Sequence, residues 1–187
     1  MSKIALTNSS VNPSASRGAG GGYPLPVVLV DTREKRPLVF SHLDAVPCTL
    51  QTGDYSIKGY ETDFAVERKS IPDLVRSLTH DRERFEKELQ RLVGIGSRGF
   101  CRLLIVGTKC ELLHELSMRK TTQNAIIGSL AAIDSDGVPV VWVPKPKKAA
   151  EWLESCAVYF YNRKRKQHSM PYKSPDWARA AVLDMIP

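Results

Sequence analysis

The 187-residue sequence has no apolar run of the roughly 18 residues that a membrane span needs. No secretion signal is predicted either, since no charged stretch followed by an apolar one opens the chain. Its four cysteines are widely spaced and form no C-x-x-C pair, which argues against a disulfide scaffold and against a structural zinc site. We therefore predict an intracellular protein with no membrane partner, located in the cytoplasm or nucleoid, or in the nucleus if its source is eukaryotic.

Positive charge, by contrast, is in excess. Lys and Arg number 27 against 20 Asp and Glu, so the net charge is +7, and the isoelectric point is near 9.3. Such a balance favours a polyanionic partner, most often nucleic acid, although ribosomal and membrane-surface proteins share it. The basic block Arg163–Lys166 is either a DNA or targeting patch or an ordinary charged linker.

Length and composition predict one folded domain with two tails. Residues 1–24 are rich in Ser, Asn, Gly and Ala and have too little apolar content to pack, so they form a flexible N-terminal tail. A hydrophobic content of 42% supports a buried core in the domain over residues 25–162. Residues 163–187 form a basic C-terminal tail.

The order of apolar patterns predicts an α/β fold, with a mixed central sheet flanked by helices. Strands are predicted over residues 25–31, 63–69, 100–106 and 138–143, with a strand, a turn and a second strand between residues 47 and 57. Helices are predicted over residues 71–78, 81–94, 121–133 and 149–162.

The stretch over residues 53–73 carries the chemistry. Period-two alternation places Glu67 and Lys69 on one strand face and Arg68 on the other. Residues two apart stand roughly 6.5 to 7 Å apart along a strand, close enough for one to hold a divalent metal while the other orients a water. Asp54 follows a Gly-led turn thirteen residues before Glu67, so a hairpin brings the two carboxylates together. The alternative is a solvated strand face and ordinary turn chemistry.

A further acidic position ends a buried strand. Asp31 closes the apolar run that begins at Leu25, and open α/β sheets place their sites at strand ends. Asp31 and Glu34 are therefore candidates to reach a metal. Arg33, which lies between them, either contacts a phosphate or pairs with one of the acids. A loop with solvated charges is the alternative for this segment.

These residues resemble the signature of the XPF family of structure-specific endonucleases, which reads G-D, then E-R-K, then D after three further residues. The sequence has Gly53-Asp54, Glu67-Arg68-Lys69 and Asp73 in that order. The resemblance covers about residues 27–153 and implies a restriction-endonuclease-like core that cuts DNA.

The resemblance and the chemistry together assign the metal site. Asp54 and Glu67 are the expected metal ligands, with Asp31 as an accessory ligand. Mg²⁺ suits hard carboxylate oxygens and phosphodiester hydrolysis, and Mn²⁺ is an expected substitute. Lys69 is expected to position the attacking water or to neutralise the transition state.

Supporting roles come from the resemblance alone. Arg68 and Asp73 are expected to support the site through an ion pair with each other, although Asp73 also fits a capping box at the start of the next helix. Upstream, residues 30–34 resemble a V-D-x-R-E strand end, and downstream Ser77-Leu78 with an arginine resembles S-[IL]-x-x-x-R. The residues expected to bind substrate are Arg33, Glu34, and the family arginine, which is either Arg82 or Arg84.

Two positions depart from the family. Where relatives often have a glutamine one turn after the arginine, this chain offers Glu86 or Glu88, and Gly107 stands where many relatives have an acid. The chain also ends too early to hold the tandem helix-hairpin-helix module that relatives generally carry, so a stand-alone nuclease or a separate DNA-binding partner protein is expected.

The substrate implied is branched duplex DNA, such as a 3′ flap, a fork or a junction, in DNA repair or recombination. In the family the last strand and helix tend to join two nuclease domains, which implies a homodimer. One alternative is a catalytically inactive DNA-binding or dimer-scaffold subunit. Another is a nuclease of the same fold with a different task, such as a junction resolvase or a restriction-type enzyme.

Overall fold

The computed structural model of the chain describes residues 24–119, 122–166 and 177–178. Within them a six-stranded sheet is covered by helices on both faces, which confirms the predicted α/β class. The strands are β1 (Val28–Asp31), β2 (Ala45–Cys48), β3 (Tyr55–Ile57), β4 (Phe64–Ser70), β5 (Phe100–Val106) and β6 (Val140–Val143). The helices are α1 (Ile71–Thr79), α2 (Arg82–Gly96), α3 (Lys109–Ser117), α4 (Gln123–Ser135) and α5 (Pro146–Lys166).

The sheet is mixed, with the strand order β2-β1-β3-β4-β5-β6. Strand β1 runs parallel to β2 and antiparallel to β3, and β3 runs antiparallel to β4. Strands β4, β5 and β6 are parallel to one another. The carboxyl ends of β1, β4, β5 and β6 therefore share one edge of the sheet with the start of β3.

The predicted turn between residues 47 and 57 does not join neighbouring strands, because β1 lies between β2 and β3. The early hairpin is formed instead by β3 and β4, with Tyr55 opposite Val66. This pairing still carries the segment that precedes β3 to the charged half of β4, as the predicted approach of Asp54 to Glu67 requires.

Helix α5 covers one face of the sheet. Phe64 and Val66 of β4 are fully buried on this side, together with Leu153 of the helix. The ring of Phe64 stacks on that of Phe100, with 4.7 Å between centroids. Burying a side chain of this size stabilises the fold by roughly 1.5 to 3 kcal/mol, so the first half of β4 is chiefly a core element.

Helices α1 to α4 cover the opposite face. Because side chains alternate along a strand, Ala65 points to this side and packs among Leu74 of α1, Phe85 of α2 and Ile126 of α4. The predicted apolar spacing of α1 is confirmed, since Ile71, Leu74 and Val75 are all buried. Glu67 and Lys69 follow Ala65 on the same face, which directs them towards α2.

Helix α5 is longer than predicted, because it begins at Pro146 and continues through Lys166. The predicted domain boundary after residue 162 thus falls inside a helix, and the basic block is its last turn, where the Lys164 ammonium lies 2.8 Å from the Asp63 carboxylate. The rest of that predicted tail, apart from residues 177–178, and the N-terminal tail up to residue 23 lie outside the described residues. None of the helices in the described ranges is both long and apolar enough to cross a membrane.

Candidate active site

A polar pocket of about 1110 Å³ opens at the edge of the sheet where β1, β4 and β5 end. Asp54, Glu67 and Lys69 line it from the sheet side. Basic residues from the segment after β1 and from helices α1 and α2 also line it: Arg33, Lys35, Arg36, Arg76, Arg84 and Arg91. An acidic centre is therefore bordered by positive charge on two sides.

Asp54 is fixed over strand β4 by the turn that precedes it. Gly53 has a φ of +76°, and a Cβ there would lie 3.0 Å from the Val66 carbonyl oxygen, so a side chain would collide with the neighbouring backbone. The Asp54 N–H donates to that same oxygen at 2.9 Å. The Arg68 N–H in turn donates to Asp54 Oδ2 at 2.8 Å. These bonds hold the Asp54 carboxylate in the pocket.

Glu67 and Lys69 lie on the same face, as the alternation predicts. The Lys69 Nζ is 2.8 Å from Glu67 Oε1, and the two side chains are only 11% and 10% exposed. Lys69 Nζ is also 3.3 Å from Glu88 Oε2 of helix α2 and 5.0 Å from the centre of the Phe85 ring. The ammonium therefore has two carboxylate partners and an aromatic face.

The carboxylates of this pocket are poorly compensated. The pKa of Asp54 is raised to about 7, first because burial disfavours its charged form and then because the Glu67 charge repels it. Burial also raises the pKa of Glu67, although the Lys69 charge opposes this shift. Burial alone would lower the pKa of Lys69, but the charges of Glu67 and Glu88 outweigh it and the pKa rises. The charged forms of Asp54 and Glu67 are therefore both unfavourable in free energy, and such a pair favours binding of a cation.

Asp31, by contrast, is satisfied by the protein. Its Oδ1 accepts from the N–H and the Nε of Arg33, and its Oδ2 accepts from Arg33 Nη2 and from the Leu50 N–H. Hydrogen bonds from the Arg33 side chain lower the pKa of Asp31 to about 2. Of the two roles predicted for Arg33, the structure shows the pairing with an acid.

The predicted trio of Asp31, Asp54 and Glu67 is not gathered around one point. Between residues 24 and 119, between 122 and 166, and at 177–178, no three His, Cys, Asp or Glu residues are grouped so that they could hold a metal by themselves. Asp54 and Glu67 alone still fit Mg²⁺, because this ion is usually bound by one or two carboxylates and completes its shell with waters and substrate phosphate.

The predicted ion pair between Arg68 and Asp73 is wrong. Arg68 points to the other face of β4, where its Nη2 and Nε donate to Glu34 Oε2 at 2.9 and 3.2 Å. Asp73 instead completes the cap of α1, since its carboxylate accepts from the Ser70 hydroxyl at 2.6 Å. Glu34 was predicted to bind substrate. In the structure its side chain is paired with Arg68 and is only 8% exposed.

The two candidate family arginines, Arg82 and Arg84, lie on different sides of helix α2. Arg82 pairs with Glu86 on the exposed side of the helix, whereas Arg84 lines the pocket. Glu88 and Arg91 line it as well, and the spacing of residues 84, 88 and 91 is that of one helical face. That polar stripe is the signal that could have identified the pocket side of α2 from the sequence.

Comparisons with known proteins concern the family and the fold. The model of the ERCC4 domain family matches residues 30–156. The DNA repair protein RAD1 of Saccharomyces cerevisiae is 38% identical over an alignment 87 residues long, which covers 41% of this chain but only 8% of RAD1. The structure is similar to that of XPF from Aeropyrum pernix, with a TM-score of 0.59 and 24% identity over 81% of this chain and 68% of that chain. At this identity the structural likeness concerns the fold alone.

Proposed function

The chain belongs to the ERCC4 domain family, and from this membership and the pocket we propose that it is a metal-dependent DNA endonuclease acting in DNA repair or recombination. One observation carries the proposal: the buried carboxylates of Asp54 and Glu67 share a pocket with the Lys69 ammonium, and arginines border that pocket. The similarity to a DNA repair protein supports the role in repair, and with it the predicted intracellular location.

Asp54 and Glu67 would hold the metal ion, with Mg²⁺ as the expected ion and Mn²⁺ as a substitute. A bound divalent ion supplies positive charge against the negative charge that accumulates on the phosphate during hydrolysis. Lys69, whose Nζ lies 2.8 Å from Glu67 Oε1, orients the attacking water or donates to a phosphate oxygen. Asp31 supports the site indirectly, by fixing Arg33 and the Leu50 backbone.

The basic rim supports a DNA substrate with more than one backbone to bind. Arg33, Lys35 and Arg36 follow β1, while Arg84 and Arg91 lie on α2. Phosphate contacts from two sides position a substrate without reading its sequence. Any duplex offers two backbones, so the branched form of the substrate, such as a flap, a fork or a junction, is proposed from the resemblance to the XPF family.

A homodimer and a separate DNA-binding partner protein are further parts of the proposal. Strand β6 and helix α5 are the expected dimer surface. The chain spans only 8% of the length of RAD1, so whole-protein assemblies of that relative are not carried over.

The function is tested by cleavage of labelled DNA with a 3′ flap, a four-way junction and a matched linear duplex, in Mg²⁺, Mn²⁺ and EDTA. We expect metal-dependent cutting of branched DNA that Glu67→Gln abolishes and that the surface control Glu86→Gln retains. Cutting of the four-way junction without cutting of the flap would instead indicate a resolvase, and preference for linear DNA would indicate a restriction-type enzyme. Binding without cutting in either metal would contradict the nuclease and favour an inactive scaffold subunit.

A further inference from the structure

We propose that Glu88 is a positioning residue for Lys69. Glu88 gives the Lys69 ammonium a second partner, so that the Glu67 carboxylate becomes available to a metal ion. The inference rests on the proposed function, because it assumes that Glu67 binds a metal. It assigns a role to a residue of helix α2, outside the strand that carries the E-R-K motif.

The ammonium of Lys69 is enclosed by groups from two elements. Glu67 of β4 lies 2.8 Å from Nζ, and Glu88 of α2 lies 3.3 Å from it. The ring of Phe85, also from α2, is 5.0 Å away. The Lys69 side chain is only 11% exposed, so the ammonium depends on these partners rather than on water.

A metal ion and this ammonium compete for the same carboxylate. An ion bound at Glu67 repels the Lys69 ammonium and weakens its pairing with the closer of its two partners. An ammonium that loses a charged partner in a place this little exposed is costly, because pocket water replaces that partner only in part. Glu88 already touches Lys69 and can keep the charge paired, which lowers the free-energy cost of metal binding and holds the amine beside the substrate.

Glu88 lies between Lys69 and a second cation, Arg84. Its Oε2 faces Lys69, while its Oε1 is 3.8 Å from Nε of Arg84. The helix that carries it is anchored by buried Phe85 and Leu92. Glu86, two residues earlier, is 55% exposed and pairs with Arg82 instead. Glu86→Gln is therefore a matched control that removes a carboxylate from the same helix without touching Lys69.

The test measures Mg²⁺ and Mn²⁺ affinity by calorimetry on the whole chain, without DNA. Glu88→Gln should weaken metal binding about tenfold, as loss of a group that orients a metal ligand typically does. In the background of Lys69→Met the same substitution should change the affinity less than about twofold, because no ammonium remains to be held. Glu86→Gln should leave the affinity unchanged. Single-turnover cleavage by Glu88→Gln should fall while its DNA affinity is retained.

Equal weakening by Glu88→Gln in both backgrounds would overturn the inference, since it would show that the Glu88 charge attracts the metal directly. An unchanged affinity in the single variant would overturn it as well. If the wild-type protein itself binds neither Mg²⁺ nor Mn²⁺ at the pocket, the proposed metal-dependent function fails first. Thermal unfolding of each variant identifies those that do not fold, and Glu88→Asp, which keeps the charge, should restore part of the affinity.

Discussion

Glu154 and Glu67 are buried carboxylates on elements that meet in the same small domain, yet their partners differ in kind. Glu154 is 0% exposed, and its Oε1 accepts the backbone N–H groups of Ser41, His42 and Leu43 at 2.9, 2.6 and 3.0 Å. Glu67, taken as a whole residue, is 8% exposed, and it has the Lys69 ammonium but also the charge of Asp54 beside it.

This difference in partners distinguishes a carboxylate that stabilises the fold from one that is proposed to bind a metal. The three N–H bonds to Glu154 Oε1 offset much of the cost of burying this carboxylate and tie residues 41–43 to α5, although its Oε2 is buried without a hydrogen-bond partner. A carboxylate beside another carboxylate is not fully compensated, and its charge is costly unless the group takes up a proton or a cation binds. Burial alone therefore does not point to an active site, and it is burial next to a like charge in an open pocket that supports the proposed one.

Asp54→Asn should produce the largest change, which is loss of cleavage without loss of stability. The Asn oxygen can still accept the Arg68 N–H, but the charge that a metal requires is gone. Losing several kcal/mol of charge stabilisation slows cleavage roughly a thousandfold or more. In EDTA at pH 8 the urea midpoint should equal or exceed that of the wild type, because a costly buried charge has been removed. A urea midpoint below that of the wild type would mean that Asp54, like Glu154, stabilises the fold.

Glu154→Ala should have the opposite effect, which is loss of stability without loss of cleavage. Three backbone N–H groups lose their acceptor, so we expect the free energy of unfolding to fall by about 2 to 4 kcal/mol, with single-turnover cleavage by the folded protein nearly unchanged. Glu154→Gln is the matched control, since its amide oxygen can accept some of the same bonds, and it should cost less. A loss below about 1 kcal/mol in the alanine variant would contradict the anchoring role.

The dependence of stability on pH should reveal the cost of the buried Asp54 charge. The folded-state pKa of Asp54, about 7, lies above its ordinary value of 3.8, so the folded protein binds this proton more tightly than the unfolded chain. Its stabilising contribution is therefore full below about pH 4 and is lost as the pH rises through about 7. In EDTA the thermal midpoint should drop by a few degrees between pH 5.5 and pH 8. Asp54→Asn should flatten this profile, and an equally steep profile in that variant would assign the effect elsewhere.

The sequence predicted those parts of the site that depend on local geometry. Alternation along β4 and the turn at Gly53 are short-range features, and they placed Asp54, Glu67 and Lys69 correctly. Contacts between distant segments were wrong or missed, because they depend on how elements pack. Arg68 pairs with Glu34 of the segment after β1 rather than with Asp73, and nothing local to β4 specifies that choice.

The same limit applies to the fold. The strand and helix types were predicted, but the insertion of β1 between β2 and β3 was not, because strand order is set by pairing across the sheet. The helical continuation of α5 through the basic block has a sequence signal that was not used: no Gly or Pro lies between residues 147 and 170. Glu154 shows a signal as well, since a Glu within the apolar stripe of α5 indicates a buried partner.

Glu86→Gln should have the smallest effect and sets the scale for the other three. Glu86 lies 2.9 Å from Arg82 Nε, but the side chains are 55% and 65% exposed, so water screens the pair. Removing it should change the free energy of unfolding by less than about 0.5 kcal/mol, and less still at high salt. Urea unfolding at two salt concentrations measures this. A loss above about 1 kcal/mol would mean that removing any carboxylate from α2 destabilises the fold, and the contrast between compensated and uncompensated burial would then not explain the larger effects.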